Sequence, residues 1–233
     1  MKKLGISGAM QVEVEILLGE MENRQERVIG GSTFHAGKLE GLDVVVVQCG
    51  VGKVNAAMCA QILCDCFDVT HLVNTGIAGS LNAELDIGDL VVSTDAMYHD
   101  FDCTHFGYPY GRVPGMEVTA FPADKLLSDL AFAAAEQGNP GHTRRGRIAS
   151  GDRFVAEKSV KEGIIAATGG LCTEMEGAAI AQTAYRNGVP FVILRAISDK
   201  ADDSAQMDYP TFERLAAHRC AEVTRRLAEK LKE

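Results

Sequence analysis

Leu42-Asp43-Val44-Val45-Val46-Val47-Gln48-Cys49-Gly50-Val51-Gly52-Lys53 is a β-branched run closed by two glycines. Four consecutive valines leave no polar face, so this strand is expected to be covered on both sides, as strands inside α/β sheets are. Gly50 and Gly52 end it, and residues 55–67 then place apolar side chains at helical spacing. The unit is strand, turn, helix.

The same unit recurs on both sides of the run. Towards the N-terminus, residues 4–8 predict a strand ending in a glycine turn, 11–21 a helix, and 28–30 with 33–39 a hairpin around a Gly-Ser turn. Towards the C-terminus, strands are expected at 70–75, closing in a glycine turn at 76–79, and at 90–93. Residues 94–122 are rich in aromatics, Gly and Pro and read as a long irregular segment of the kind that forms binding loops. Helices are expected at 123–137, 156–167, 177–187 and 209–232, and strands at 145–150, 172–174 and 191–195. Strands alternating with helices predict a three-layer α/β domain, with a central mixed, largely parallel sheet flanked by helices. No internal repeat or linker interrupts residues 1–233, so one domain is expected.

Composition narrows the partners. With 23 Lys and Arg against 32 Asp and Glu, the formal net charge of −9 disfavours nucleic-acid phosphates and anionic lipid. A small-molecule partner is expected. The 46% hydrophobic and 24% charged residues are those of a folded globular chain. The seven cysteines show no repeated pair spacing, which predicts reduced thiols in a reducing, cytoplasmic compartment. No apolar run approaches the roughly 20 residues needed to span a bilayer, and Gln11, Glu13 and Glu15 interrupt any export signal after Met1-Lys2-Lys3.

In sheets of this type ligands bind beyond the carboxyl ends of strands. Acidic groups gather there: Glu13 after the first strand, Asp152 after the strand at 145–150, Glu174 and Glu176 near that at 172–174, and Asp199 after the last. Each is also a residue that caps helices and turns; their coincidence points to acid–base chemistry. Glu174 and Glu176 share a face if the chain is extended, and diverge if it is helical. Gly50-x-Gly52 lacks the third glycine of a dinucleotide turn, and no phosphate loop is present. His99, Asp100, Asp102 and His105 have metal-binding side chains, but a polar loop is the preferred reading and no metal or cofactor is expected.

Taken in order, several segments resemble the bacterial 5′-methylthioadenosine/S-adenosylhomocysteine nucleosidases of the nucleoside phosphorylase superfamily, nearly end to end. They are Gly8-Ala9-Met10-x-x-Glu13, Gly50-x-Gly52-Lys53, Asn74-Thr75-Gly76-x-Ala78-Gly79, His99-Asp100-x-Asp102, Phe106-Gly107-Tyr108, Pro114-Gly115, Ser150-Gly151-Asp152-x-Phe154, Glu174-Met175-Glu176 and Arg195-Ala196-Ile197-Ser198-Asp199. The resemblance implies hydrolysis of the N-ribosidic bond of an adenine nucleoside. It makes Glu13 the base that activates water and Asp199 the acid that protonates adenine, supported by Ser198. Glu176 would bind ribose hydroxyls, Met10 and Met175 would pack on the sugar, and Phe154 would stack on adenine beside the backbone of Val155. Ile77, Ala78, Gly79, Glu174 and Arg195 fall in matching segments and are expected at the site. Tyr209 and Phe212 would close it, while Phe106, Tyr108 and Pro114 would line the pocket of a homodimer partner. The chain departs from the family's common residues at Gln11, Val12, Ile77, Ser80 and Tyr209. A 6-amino-6-deoxyfutalosine nucleosidase stays open as an alternative, with a purine nucleoside phosphorylase or a noncatalytic nucleoside-binding protein behind it.

The chemistry is coherent with paired carboxyls. Breaking the bond builds positive charge on the sugar and negative charge on the departing base. An acid and a base on opposite faces of the sugar, as in inverting glycosidases, would serve both, with Asp199 protonated and Glu13 ionised.

Overall fold

The computed structural model describes residues 2–202 and 204–232, without the side chains of residues 206 and 207. The valine run forms β4 (Leu42–Gln48). It pairs parallel with β1 (Lys3–Gly8) and antiparallel with β3 (Ser32–Leu39), beyond which β2 (Glu22–Ile29) forms an edge. Alternation divides its valines between two cores. Val44 and Val46 join Leu4 and Ile6 beneath α1 (Gln11–Glu20), α3 (Lys125–Gly138) and α6 (Ala205–Lys232). Val45 and Val47 face the opposite layer, α2 (Lys53–Phe67) and α5 (Gly177–Asn187). Full burial of a valine contributes roughly 1.5–3 kcal/mol, so a short run of four anchors both layers.

On its other side β1 pairs with β5 (His71–Ser80). From β5 the sheet closes on itself. β10 (Phe191–Asp199) runs parallel to β5 and antiparallel to β6 (Leu90–Tyr98); β6 is followed by the parallel β8 (Thr143–Ser150) and β9 (Cys172–Glu174); and β9 returns antiparallel to β5. A short β7 (Phe121–Pro122) adds to β6, and α4 (Lys158–Thr168) covers β8. The architecture is thus α/β, with a central mixed sheet flanked by helices and a five-strand ring at one end.

Three expectations are corrected. Residues 76–79 are not a turn: β5 runs through them, because β10 offers backbone partners from Gly76↔Arg195 to Gly79↔Asp199. β6 and β10 likewise extend well past residues 93 and 195. β2 begins at Glu22, six residues before the expected strand; its sequence ENRQERVI is exposed almost throughout and so carries no apolar alternation. The segment 99–120 is irregular apart from one 3-10 turn at Thr104–Phe106, as expected of a loop.

Candidate active site

The carboxyl ends of β1, β5 and β10 meet at one cleft. After β1, Met10 caps α1 and Glu13 stands at the third helical position, where a glutamate can reach back to the free N–H groups of the helix start. Its Oε2 accepts from the backbone N–H of Ala9 at 2.6 Å and of Met10 at 2.9 Å. Its Oε1 accepts from the N–H of Ile77 on β5 at 3.0 Å. Each carboxylate oxygen has two acceptor positions, so Oε2 is filled and Oε1 keeps one open. Burial pushes the Glu13 carboxyl up, against the Arg195 charge and the three N–H donors that favour ionisation.

β10 ends in a bulge between Ile197 and Asp199, which leaves Ser198 without a partner in the ladder. The Ser198 hydroxyl donates to Asp199 Oδ2 at 2.9 Å, and the N–H of Ala201 donates to Oδ1 at 2.8 Å. Burial also raises this carboxyl, and the charges of Asp208 and Asp202 reinforce the rise against the two donors. Burial therefore acts upward on both acids, and the opposing donors and charges distinguish them: Glu13 faces a guanidinium, Asp199 faces carboxylates. Glycines make room for each. A Cβ on Gly76 would lie 2.5 Å from Glu13 Oε1, and one on Gly79 would lie 2.8 Å from Asp199 Oδ1.

Glu174 and Glu176 take different surroundings. Glu174, at the end of β9, accepts from Arg195, from the Ser150 hydroxyl and from the N–H groups of Glu176 at 3.0 Å and Gly177 at 2.7 Å. Burial would raise its pKa, but Arg195, Ser150 and Gly177 together hold it below the ordinary value. Glu176 turns away as the cap residue of α5, with φ −130° and ψ −38°. Its Oε1 accepts from Gly52 N–H at 2.8 Å, and burial together with the Glu174 charge raises its pKa. The shared face expected of an extended pair is lost because β9 stops at Glu174.

The cleft is a concavity open to solvent at these strand ends. It brings together Met10, Glu13, Ile77, Ala78, Gly79, Phe154, Val155, Glu174, Met175, Glu176, Ser198, Asp199 and Tyr209. Phe154 meets Tyr209 edge-on at 5.5 Å, and the Tyr209 hydroxyl lies 3.2 Å from Met10 Sδ. Arg195 does not line the wall; it lies beneath it, 1% exposed, joined to Glu174 and Asn74. Phe212 is half-buried outside the lining, and Phe106, Tyr108 and Pro114 are exposed on the 99–120 segment, away from this chain's own cleft. Ala9, Val51, Arg153 and Thr173 also line the cleft and were not singled out in the sequence. Ala9 and Val51 sit inside quoted motifs; Thr173 reads as an ordinary strand residue.

The two loop aspartates find protein partners. Asp100 accepts from Lys53 Nζ at 2.6 Å and from Asp152 N–H at 2.9 Å, and Asp102 accepts from the N–H of Thr104 at 2.8 Å. Among the described residues no three His, Cys, Asp or Glu side chains form a metal-holding group, and no helix is long and apolar enough to cross a membrane.

A mixed α/β sheet closed into a ring, with buried carboxyls at the ends of adjoining strands, defines a nucleoside phosphorylase-like protein. A family model described as the phosphorylase superfamily matches residues 3–229. The 5′-methylthioadenosine/S-adenosylhomocysteine nucleosidase of Halalkalibacterium halodurans is 42% identical over 213 residues, 91% of each chain. The nucleosidase of the same description from Neisseria meningitidis, solved with methylthio-immucillin-A, superposes with a TM-score of 0.96 at 36% identity, covering 99% of this chain and all of that one. Futalosine hydrolase of Helicobacter pylori superposes with a TM-score of 0.93 at 32% identity, covering 98% of each. The chain belongs to the 5′-methylthioadenosine/S-adenosylhomocysteine nucleosidase family of the phosphorylase superfamily.

Proposed function

We propose that residues 1–233 form one catalytic domain that hydrolyses the N-ribosidic bond of 5′-methylthioadenosine and S-adenosylhomocysteine, and of 5′-deoxyadenosine, to adenine and the 5′-substituted ribose. The observation that carries this reading is that the Glu13 and Asp199 carboxyls line the same cleft. The open acceptor position on Glu13 Oε1 takes a proton from the attacking water. Asp199, its carboxyl raised by burial and by the charges of Asp208 and Asp202, delivers a proton to the departing adenine, and Ser198 orients it. Glu176 binds the ribose hydroxyls, Met10 and Met175 pack on the sugar, Phe154 stacks on the base, and the backbone of Val155 reads its edge.

Hydrolysis is favoured over phosphorolysis by the state of Arg195. Arg195 is buried and engaged by Glu174 and Asn74, so its guanidinium is not free to hold a phosphate beside the sugar. Incubation with 5′-methylthioadenosine in phosphate-free buffer is expected to release adenine at a rate that added phosphate leaves unchanged; no adenine, or a strict phosphate requirement, would overturn the reading. The likeness to a futalosine hydrolase supports one second reading, a 6-amino-6-deoxyfutalosine nucleosidase, which a comparison of kcat/KM on the two substrates separates. The protein works in the cytoplasm as a homodimer. Exposed Phe106, Tyr108 and Pro114 reach the partner's cleft, with Tyr209 and Phe212 closing each cleft from its own α6.

A further inference from the structure

Thr173 sits in the catalytic cleft with its hydroxyl uncommitted. The residue is 5% exposed, and its Oγ1 is buried with no protein hydrogen-bond partner. Leaving a buried hydroxyl unpaired costs stability, and native interiors seldom do so without a purpose.

The sheet register says which face of the sheet the Thr173 side chain takes. Thr173 is the middle residue of β9, paired with Gly79 of β5 on one side and Ala149 of β8 on the other. Residues opposite one another in a ladder share a face, so Thr173 is flanked by a glycine and a methyl group. Neither can satisfy a hydroxyl. The space above Gly79 is bordered by Asp199 Oδ1 and the Ala201 methyl, since a Cβ built there meets them at 2.8 and 2.7 Å. Ala149 belongs to a small apolar cluster with Val155 and Ala201. Thr173 therefore stands at the Asp199–Val155 end of the cleft, away from the sugar-facing Glu176.

We infer that the Thr173 hydroxyl makes a hydrogen bond to a polar ring atom or amino group of the purine, and so helps determine base specificity. This rests on the reading of the site as an adenine-nucleoside site. A hydroxyl both donates and accepts, so it matches either a ring nitrogen or the exocyclic amine. The contact is a binding one, and the proton transfers remain with Asp199 and Glu13.

The test is a set of double-mutant cycles on the full-length protein, with competition binding of adenine, 1-deazaadenine, 3-deazaadenine, 7-deazaadenine and unsubstituted purine to wild type, Thr173→Val and Thr173→Ser. Thr173→Val is expected to weaken adenine about tenfold, Thr173→Ser to restore most of that affinity, and one analogue, the one lacking the partner atom, to bind wild type and Thr173→Val equally. Equal adenine binding by wild type and Thr173→Val would overturn the inference, and so would a uniform loss across all the analogues. Wild type that neither binds adenine nor releases it from 5′-methylthioadenosine would instead overturn the adenine-nucleoside reading.

Discussion

The Glu13 carboxylate occupies the space that a side chain at Gly76 would need, 2.5 Å from where the Cβ would stand. β5 thus lacks a side chain at the point where α1 delivers its acid. Gly76→Ala is expected to leave a folded protein, since β5 keeps its ladder partners, but to displace Glu13 and cut kcat by at least about a hundredfold, given that an ångström of misplacement can cost that much. Steady-state kinetics beside circular dichroism check it; an active Gly76→Ala enzyme would show that Glu13 need not sit where it does.

Asp199→Asn removes the transferable proton while keeping the shape and the acceptor for Ala201 N–H. Turnover is expected to fall by roughly 10²–10⁴-fold, the usual contribution of a positioned acid, with adenine-nucleoside binding largely kept. Single-turnover assays and calorimetry separate the two quantities.

The proposed mechanism requires Glu13 ionised and Asp199 protonated, and both carboxyls are raised by burial. A plot of kcat/KM against pH is therefore expected to be bell-shaped. Its acid limb lies above the ordinary glutamate value of 4.5, and its alkaline limb above the ordinary aspartate value of 3.8. A profile flat through both limbs would remove the acid–base assignment.

Glu176 is raised by burial and by its neighbour Glu174. A group whose folded pKa lies above its unfolded value binds more protons in the folded state, so stability falls as pH rises through the folded value. Glu176→Gln removes that loss and is expected to melt higher than wild type on the alkaline side, each kcal/mol recovered being worth about 2–4 °C, while ribose binding weakens. Melting curves across pH test the sign: the gap should shrink as pH falls below the Glu176 value.

Breaking the Glu174–Arg195 pair from one side leaves an uncompensated buried charge. Arg195→Met or Glu174→Gln alone is expected to destabilise by about 3–5 kcal/mol, whereas replacing both should cost less than the sum. Urea unfolding of the two single variants and the double variant measures this.

Much of this was legible in advance, and the failures have causes. The valine run disclosed a strand covered on both faces because each valine serves one layer. Four of the five acids at the strand ends pointed to the cleft, because a folded sheet has few other places to hold carboxyls beside a ligand; the fifth, Asp152, instead accepts from the Lys53 N–H. Gly76 and Gly79 misled because glycine punctuates turns far more often than it clears space inside a strand. Arg195 was taken for a site residue, yet its guanidinium serves Glu174 from below; a motif names neighbours in the chain and does not say which lies in front. Thr173 gave no signal at all, since its significance comes from Gly79 and Ala149, which lie far from it in sequence.

The five-strand ring has a mechanical corollary. A strip of sheet with free edges can slide or splay at its margin, but a ring has no margin, so a shift in any member must be absorbed by all the others. The spacing between the residues at its rim is thereby set by the circumference, much as hoops fix the staves of a cask. Change is then confined to the loops that leave the rim, where length and sequence can vary without moving Asp199 at the end of β10 relative to the β5 backbone N–H that holds Glu13.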